Sequence, residues 1–327
     1  MAYFIINEFS DLNFLSPLII YYENNSLEYK IIMLFENLKK PTKVGFKKSK
    51  IEVLNLPFIN KNKLVILKNR KLKKYLLGLS GSIIATSPTI MRLNRIYRNK
   101  NCKYIAISYF GEYDAEIVDY VDLLFLHSPI FKLESRKNNI RYGVPYWDIY
   151  HNSDYDYSHL SDIQISSNTE NIIIPEIVLQ YEKWYVETMK WLKENYSVNK
   201  HYYLKCRIKN INTIKRNKIF KKELKQYSNV HFVNAQPFFH NHKLLKNSTS
   251  VMFTSNLSMY VLESIFMKKN IIKYFSHNTK LFLKDHRKGK MDDIIEQYEN
   301  NKHQTISKYI FERNHYSEYA FEEINSV

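Results

Sequence analysis

Short apolar runs alternate with polar turns and amphipathic stretches along most of this chain. Ala2–Asn7 reads as a strand, Phe14–Tyr22 as a helix, and Tyr29–Leu34 as a second strand or a helix start. Pro41–Phe46 and Leu64–Leu67 read as short strands between Lys-rich loops, and Lys71–Leu79 mixes Lys with Leu up to Gly78 and Gly81. Ser82–Thr86 is a strand, and Ser87-Pro88 opens a helix that runs to Tyr97, since proline suits a first helical turn. Strands at Tyr104–Ser108 and Leu123–Leu126 flank a short helix at Glu116–Tyr120. Strands alternating with helices in this way predict an open α/β sheet.

The pattern breaks between residues 141 and 170, where the chain turns polar and acidic. It then resumes. Asn171–Ile174 is a strand, Pro175–Glu194 a helix carrying Trp184 and Trp191, Tyr202–Cys206 a strand, Lys215–Gln226 a basic helix and His231–Asn234 a strand. Met291–Asn300, Thr305–Phe311 and Tyr316–Ile324 read as terminal helices. The expected organisation is a first α/β domain over residues 1–150, a linker over 151–170, and a second α/β domain with C-terminal helices over 171–327. Two Rossmann-like domains of this kind face each other across a cleft, a common setting for a two-part substrate.

The most informative segment is Ser248–Phe275. It parses as a strand at Ser250–Phe253, a turn at Thr254-Ser255-Asn256, a helix over Leu257–Met267 and a strand at Ile271–Phe275. So compact a unit implies parallel strands. In parallel sheets ligands bind where strands end and helices begin. Ser255, Asn256 and Ser258 therefore stand where hydroxyls and free backbone N–H groups can hold an anion. Lys205 and Arg207 lie on one face at the end of an earlier strand and can add two cations.

Composition narrows the field. The 327 residues suit two domains, and 45% hydrophobic content can fill two cores. Lys and Arg exceed Asp and Glu by 49 to 32, a formal charge of +17. Nucleic acid, an anionic membrane surface or a phosphorylated substrate would each match that sign. The abundance of Lys, Asn, Ile and Tyr also fits an A/T-rich coding sequence, which raises Lys without selection for function. Nucleic acid is not expected as a partner, because no base-reading module is present and Lys dominates over Arg. Cys102 and Cys206 stand alone and fit no metal spacing, so reduced thiols of a cytoplasmic protein are expected. No run of 18 apolar residues is present and the N-terminus does not read as a signal peptide. The phosphate-binding G-x-x-x-x-G-K-[ST], G-x-G-x-x-G, G-x-S-x-G and H-E-x-x-H patterns are all missing.

Four local motifs carry a resemblance. Val121-Asp122-Leu123-Leu124-Phe125-Leu126-His127-Ser128 resembles an "aD.i...S" strand, and Tyr142-Gly143-Val144-Pro145-Tyr146-Trp147-Asp148 a "G.P..D" lead into a linker. Tyr203-Leu204-Lys205-Cys206-Arg207 stands in place of a "(I/L)K.HP" strand end, and Leu244 through Tyr274 resembles a strand–turn–helix element with a conserved acid. Their order is similar to that of GT-B-class glycosyltransferases. Within these it is closest to bacterial surface-polysaccharide and capsule enzymes of the CDP-glycerol glycerophosphotransferase branch. The chain departs from them at Cys206-Arg207, at Ser108-Tyr109-Phe110-Gly111 and at Asn247-Ser248-Thr249.

The resemblance implies transfer of a sugar or phosphoglycerol-like unit from a nucleotide-activated donor to a surface glycan or lipid-linked acceptor. Residues 171–280 would hold the donor and residues 1–150 the acceptor. Glu263 would bind the donor ribose, since a carboxylate suits a vicinal diol. Lys205, Arg207, Ser255, Asn256 and Ser258 would hold the diphosphate. Glu112, Asp114 or Glu116 would act as general base, with His127 as rival. The scheme needs no metal or other cofactor. Asp154-Tyr155-Asp156 matches a metal-binding D-x-D pattern but follows no apolar strand, so a chance match is expected. The protein would work in the cytoplasm or peripherally at the inner membrane face, its Lys-rich stretches against anionic lipid. Two alternatives stand beside this reading: a sugar-nucleotide 2-epimerase-like enzyme of the same two-domain fold, and a basic nucleic-acid-binding protein.

Overall fold

The computed structural model describes residues 1–8, 10–34, 56–96, 98–109, 114–127, 133, 137–176, 181–206, 222–234, 238–254, 259–274 and 314–327. Contacts divide the chain into two compact units, Met1–Tyr155 with Tyr309–Val327, and Asp156–Lys308.

The first unit is built on a seven-stranded sheet, in the order β3-β2-β1-β4-β5-β6-β7. Its strands are β1 (Ala2–Ile6), β2 (Tyr29–Leu34), β3 (Leu64–Leu67), β4 (Gly81–Thr86), β5 (Cys102–Ile107), β6 (Leu123–Leu126) and β7 (Ile140–Tyr142). Every neighbouring pair is parallel. Parallel strands are covered on both faces and read as continuous apolar runs, and all five residues of β1 are buried. Register and chain crossing require a close approach at Gly81. Its φ is +129°, and a Cβ there would lie 2.3 Å from the Met1 carbonyl oxygen. The bare backbone lets Ser82 N–H donate to that oxygen at 3.1 Å.

Helices α1 (Asp11–Asn24), α2 (Asn69–Leu77), α3 (Ser87–Ile96) and α4 (Asp114–Ile117) follow the strands. Strand alternation separates them by face. Tyr3, Ile5, Ile83 and Ala85 form one core with Leu72 and Leu76 of α2, Ile90 and Leu93 of α3, and Ile117 of α4. Phe4 points the other way, onto Tyr22 of α1 at 5.3 Å. Lys71–Leu79 is thus a helix whose Leu72 and Leu76, four residues apart, face the core.

The last helix, α9 (Tyr316–Ser326), was expected to belong with the second domain; it packs on the first unit instead. The physical reason is a remote cap. Short helix α5 (Asp148–His151) presents Asp148, whose carboxylate accepts from Tyr316 N–H at 2.9 Å and Ser317 N–H at 2.7 Å. The first N–H groups of a helix have no partner of their own, and an anion there also meets the favourable end of the helix dipole. Arg141 bridges to Glu323, and Phe321 packs its ring on Tyr21 and Tyr22 of α1. The motif Tyr142–Asp148 therefore anchors the returning chain.

The second unit has a five-stranded parallel sheet, in the order β10-β9-β8-β11-β12. Its strands are β8 (Glu170–Pro175), β9 (Lys200–Cys206), β10 (Val230–Asn234), β11 (Ser250–Phe253) and β12 (Asn270–Lys273). Helix α6 (Tyr181–Asn195) packs Trp184, Tyr185 and Leu192 on Ile172, Ile174, Tyr202 and Leu204. Helices α7 (Phe238–Asn247) and α8 (Met259–Phe266) complete the unit's described helices. Cys206 is buried in the α6 core, where burial pushes its thiol pKa up, as suits an inert structural cysteine. Cys102 is likewise buried and free. The fold class is thus the expected one, two Rossmann-like α/β sheets. The strand expected at Pro41–Phe46, most of Lys215–Gln226, and the helices expected at Met291–Asn300 and Thr305–Phe311 lie outside the described residues. No described helix is long and apolar enough to cross a membrane.

Candidate functional site

The carboxyl edge of the first sheet gathers a buried polar cluster. Asp11 opens α1 just beyond β1 and is 3% exposed. Its carboxylate accepts from the backbone N–H of Asn7 at 2.7 Å and of Glu8 at 2.8 Å, and from the hydroxyls of Thr86 and Thr89. Asn7 in turn accepts from Arg92 Nη1 at 2.7 Å. On the other flank Asp114, fully buried, accepts from the hydroxyls of Ser87 and Ser108, the latter at 2.6 Å. Two carboxylates thus grip the junction Thr86-Ser87-Pro88-Thr89 between β4 and α3 from both sides. Sequence inspection passed over Asp11. Its signal was an acid at the end of the turn after the first strand, hidden by placing the helix start at Phe14.

His127 stands at the end of β6, and its Nε2 lies 3.1 Å from the Ser108 carbonyl oxygen. Trp147 at 5.6 Å and Phe14 at 5.9 Å crowd its ring. Burial lowers its pKa to about 4, so the imidazole is neutral at pH 7. The structure therefore brings Asp114 and His127 together, through the side chain and the backbone of Ser108. Both are enclosed, and both Asp114 oxygens already accept serine hydroxyls. To act as a base, Asp114 would have to exchange a serine for an acceptor. The geometry as it stands suits positioning groups that fix Ser108, directly after β5. Glu112 lies outside the described residues.

The carboxyl edge of the second sheet has a different character. Lys205, one residue before the end of β9, sets its ammonium 4.1 Å from the ring centre of Tyr260 on α8. Tyr260 is held by its hydroxyl, which donates to Asn241 of α7 at 2.9 Å. Glu263 lies three residues on, on the same face of α8, and is 3% exposed. It is a buried carboxylate on a largely apolar helix, not a solvent-facing one. Thr254, directly after β11, is 2% exposed and its hydroxyl makes no hydrogen bond. A buried hydroxyl without a partner is costly unless something else meets it. Arg207, Ser255, Asn256 and Ser258 lie outside the described residues.

The D-x-D pattern has a structural explanation. Asp156 accepts from Lys246 Nζ at 2.6 Å and Ser158 N–H at 2.8 Å, and His242 Nδ1 stands 3.3 Å away. Burial alone would raise the Asp156 pKa; the Lys246 and Ser158 contacts outweigh it and the net shift is downward. His240 and Lys243 reach Ser161 at 2.8 Å and 2.7 Å. Helix α7, missed in the sequence because of its Asn and His content, thus clamps the segment that leads into the second sheet. Among the described residues no group of three or more His, Cys, Asp or Glu side chains is placed to hold a metal ion.

No family model matches the chain, and no curated protein matches it by sequence. Solved structures do match, over the whole chain. UDP-GlcNAc 2-epimerase from Methanocaldococcus jannaschii, solved with UDP-GlcNAc and UDP, gives a TM-score of 0.60 at 13% identity, covering 100% of this chain and 99% of that one. Anabaena HepE in complex with UDP-glucose gives 0.58 at 11% identity, with the same coverage. UDP-GlcNAc 2-epimerase from Neisseria meningitidis bound to UDP-GlcNAc gives 0.54 at 11%, again over 100% and 99%. These likenesses place the chain in the GT-B-like two-domain fold, as the sequence motifs implied, and lend nothing to the CDP-glycerol branch.

Proposed function

We propose that this chain is a nucleotide-sugar enzyme that holds the nucleotide on its second unit and inverts one carbon of the sugar, in the manner of a 2-epimerase. The observation that carries this reading is the whole-chain likeness to proteins solved with UDP-sugars. The carboxyl edge of the second sheet supports it with matching chemistry. Lys205 supplies positive charge for a diphosphate, kept in place by Tyr260. The buried Glu263 carboxylate can accept from a ribose hydroxyl. The Thr254 hydroxyl has a bond to give. Arg207, Ser255, Asn256 and Ser258, named from the sequence, are the further candidates for phosphate contact. Inversion breaks a C–H bond and remakes it on the opposite face, with no net oxidation and no acceptor. Glu112, named from the sequence, is the candidate proton carrier.

A second reading is transfer of the sugar, or of a phosphoglycerol-like unit, to a surface glycan or lipid-linked acceptor. The motifs Val121–Ser128 and Tyr142–Asp148 favour it. Proton NMR of UDP-GlcNAc incubated with the chain separates the two. Inversion produces a second anomeric signal that grows to a constant ratio without any acceptor. Transfer leaves the sugar nucleotide intact until acceptor is added and then releases UDP. A spectrum unchanged by the enzyme under both conditions, with UDP-glucose as well, would count against both.

A further inference from the structure

We infer that the outer face of α2 docks the protein on an anionic lipid bilayer. From Val53 to Gly111 the chain has no Asp or Glu and twelve Lys or Arg. An even spread of the chain's 32 acids would put about six there. A coding bias toward Lys adds lysines; it does not remove acids from one stretch. Helix α2 lies within this stretch, with Leu72 and Leu76 buried in the core. Its other side carries Arg70, Lys71, Lys73 and Lys74, all exposed, with Lys68 just before it. No carboxylate among the described residues pairs with Lys68, Arg70, Lys71 or Lys74, whereas Lys63, Arg98 and Arg141 elsewhere in the unit each have one. Leu77, 47% exposed, stands beside Lys73 and Lys74 on the same side.

The opposite face of the sheet carries exposed acids among the described residues. It is covered by α1 and α9, and α9 exposes Glu318 and Glu322. Among the described residues the unpaired cations of α2 and the exposed acids of α9 thus lie on different faces, a charge distribution that would orient the unit on a negative surface. Lipid fits better than nucleic acid. Four of the five cations at α2 are lysines, which act as point charges rather than planar forks. No aromatic ring stands open there for bases to stack on, since Tyr75 packs against the core. The apolar side of α2 is already used by the core, so the helix lies on the headgroups without inserting, and binding must weaken with salt.

Co-sedimentation with phosphatidylcholine vesicles, with and without phosphatidylglycerol, tests this on the full chain. Binding is expected only to the anionic vesicles and should fade as salt rises. The Lys71→Gln, Lys74→Gln double variant should bind about 30-fold more weakly, from the loss of two charges near the surface. Lys190→Gln with Lys193→Gln, exposed positions of α6, should leave binding as it was. Equal loss in both pairs would mean net charge alone is at work and would overturn the assignment. So would undiminished binding in the α2 variant, absence of binding to anionic vesicles, or tighter binding to single-stranded RNA than to vesicles. Calorimetric binding of UDP-GlcNAc should be the same in the α2 variant and the parent, so the docking face and the nucleotide-sugar site fail independently.

Discussion

Asp11→Ala is expected to destabilise the first unit by about 3–5 kcal/mol, because it leaves two buried hydroxyls and two backbone N–H groups without their acceptor. Urea denaturation followed by circular dichroism measures this, and a loss below about 1 kcal/mol would be too small for three buried donors and one part-buried one. A second signature comes from pH. Burial raises the Asp11 pKa from 3.8 to about 6, against the opposing pull of its hydrogen bonds. A carboxyl group whose folded pKa lies above its unfolded one stabilises the fold when protonated. That contribution is complete below about pH 4 and is lost as pH rises through 6. His127 has the opposite sign. Its pKa falls from 6.5 to about 4, so the fold loses stability as pH drops across that interval. Between pH 4 and 6 the two contributions oppose each other. Asp11→Asn removes the carboxyl titration and leaves that of His127. Its stability should therefore fall more steeply than the parent's on acidification, by about 1.4 kcal/mol per pH unit. A variant with the parent's slope would show that Asp11 does not titrate in this way.

Asp148→Ala is expected to release α9 from the first unit at a cost of about 2 kcal/mol, the upper range for loss of a helix cap. The carboxylate serves the first two N–H groups of a helix that begins 168 residues later in the chain. His315, the residue before that helix, makes no side-chain cap bond, so no local group replaces it. Hydrogen exchange reads the effect directly. Amides of Tyr316–Ser326 should exchange faster in the variant, and those of β1 and β4 should keep their protection. Uniform loss of protection across the first unit would mean that α9 and the sheet unfold together.

What could be read in advance follows from where the information lies. β1, β4, β5, β6, β8 and β11 are parallel strands buried on both faces, and a solid apolar run is a local signal. Edge strand β7 is three residues long and only partly buried, so its sequence carries no such run. Helix α7 reads as a polar loop because its His and Asn residues are poor helix formers; its reason for being helical is the segment it clamps. Lys205 was named for its place at a strand end and Glu263 for the acid-bearing helix of the resembled enzymes, and both roles are assignments made from sequence. The Asp11 and Asp114 clamps, and the Asp148 cap, were not legible. In each a carboxylate meets donors supplied by distant parts of the chain, up to 169 residues away for Ser317, and no spacing rule connects them. Glu112, Arg207, Ser255, Asn256 and Ser258 remain assignments made from sequence.

The carboxyl edge of the second sheet is proposed to hold a nucleotide sugar. Isothermal titration of the full chain with UDP-GlcNAc tests it most directly, with Lys205→Met and Glu263→Gln as variants whose folding is checked by circular dichroism. Saturable binding to the parent is predicted, weakened at least about 10-fold in each folded variant, as expected for loss of one bond to a charged group. No binding of UDP, UDP-GlcNAc or UDP-glucose to the parent, or equal affinity in the parent and both variants, would contradict the claim.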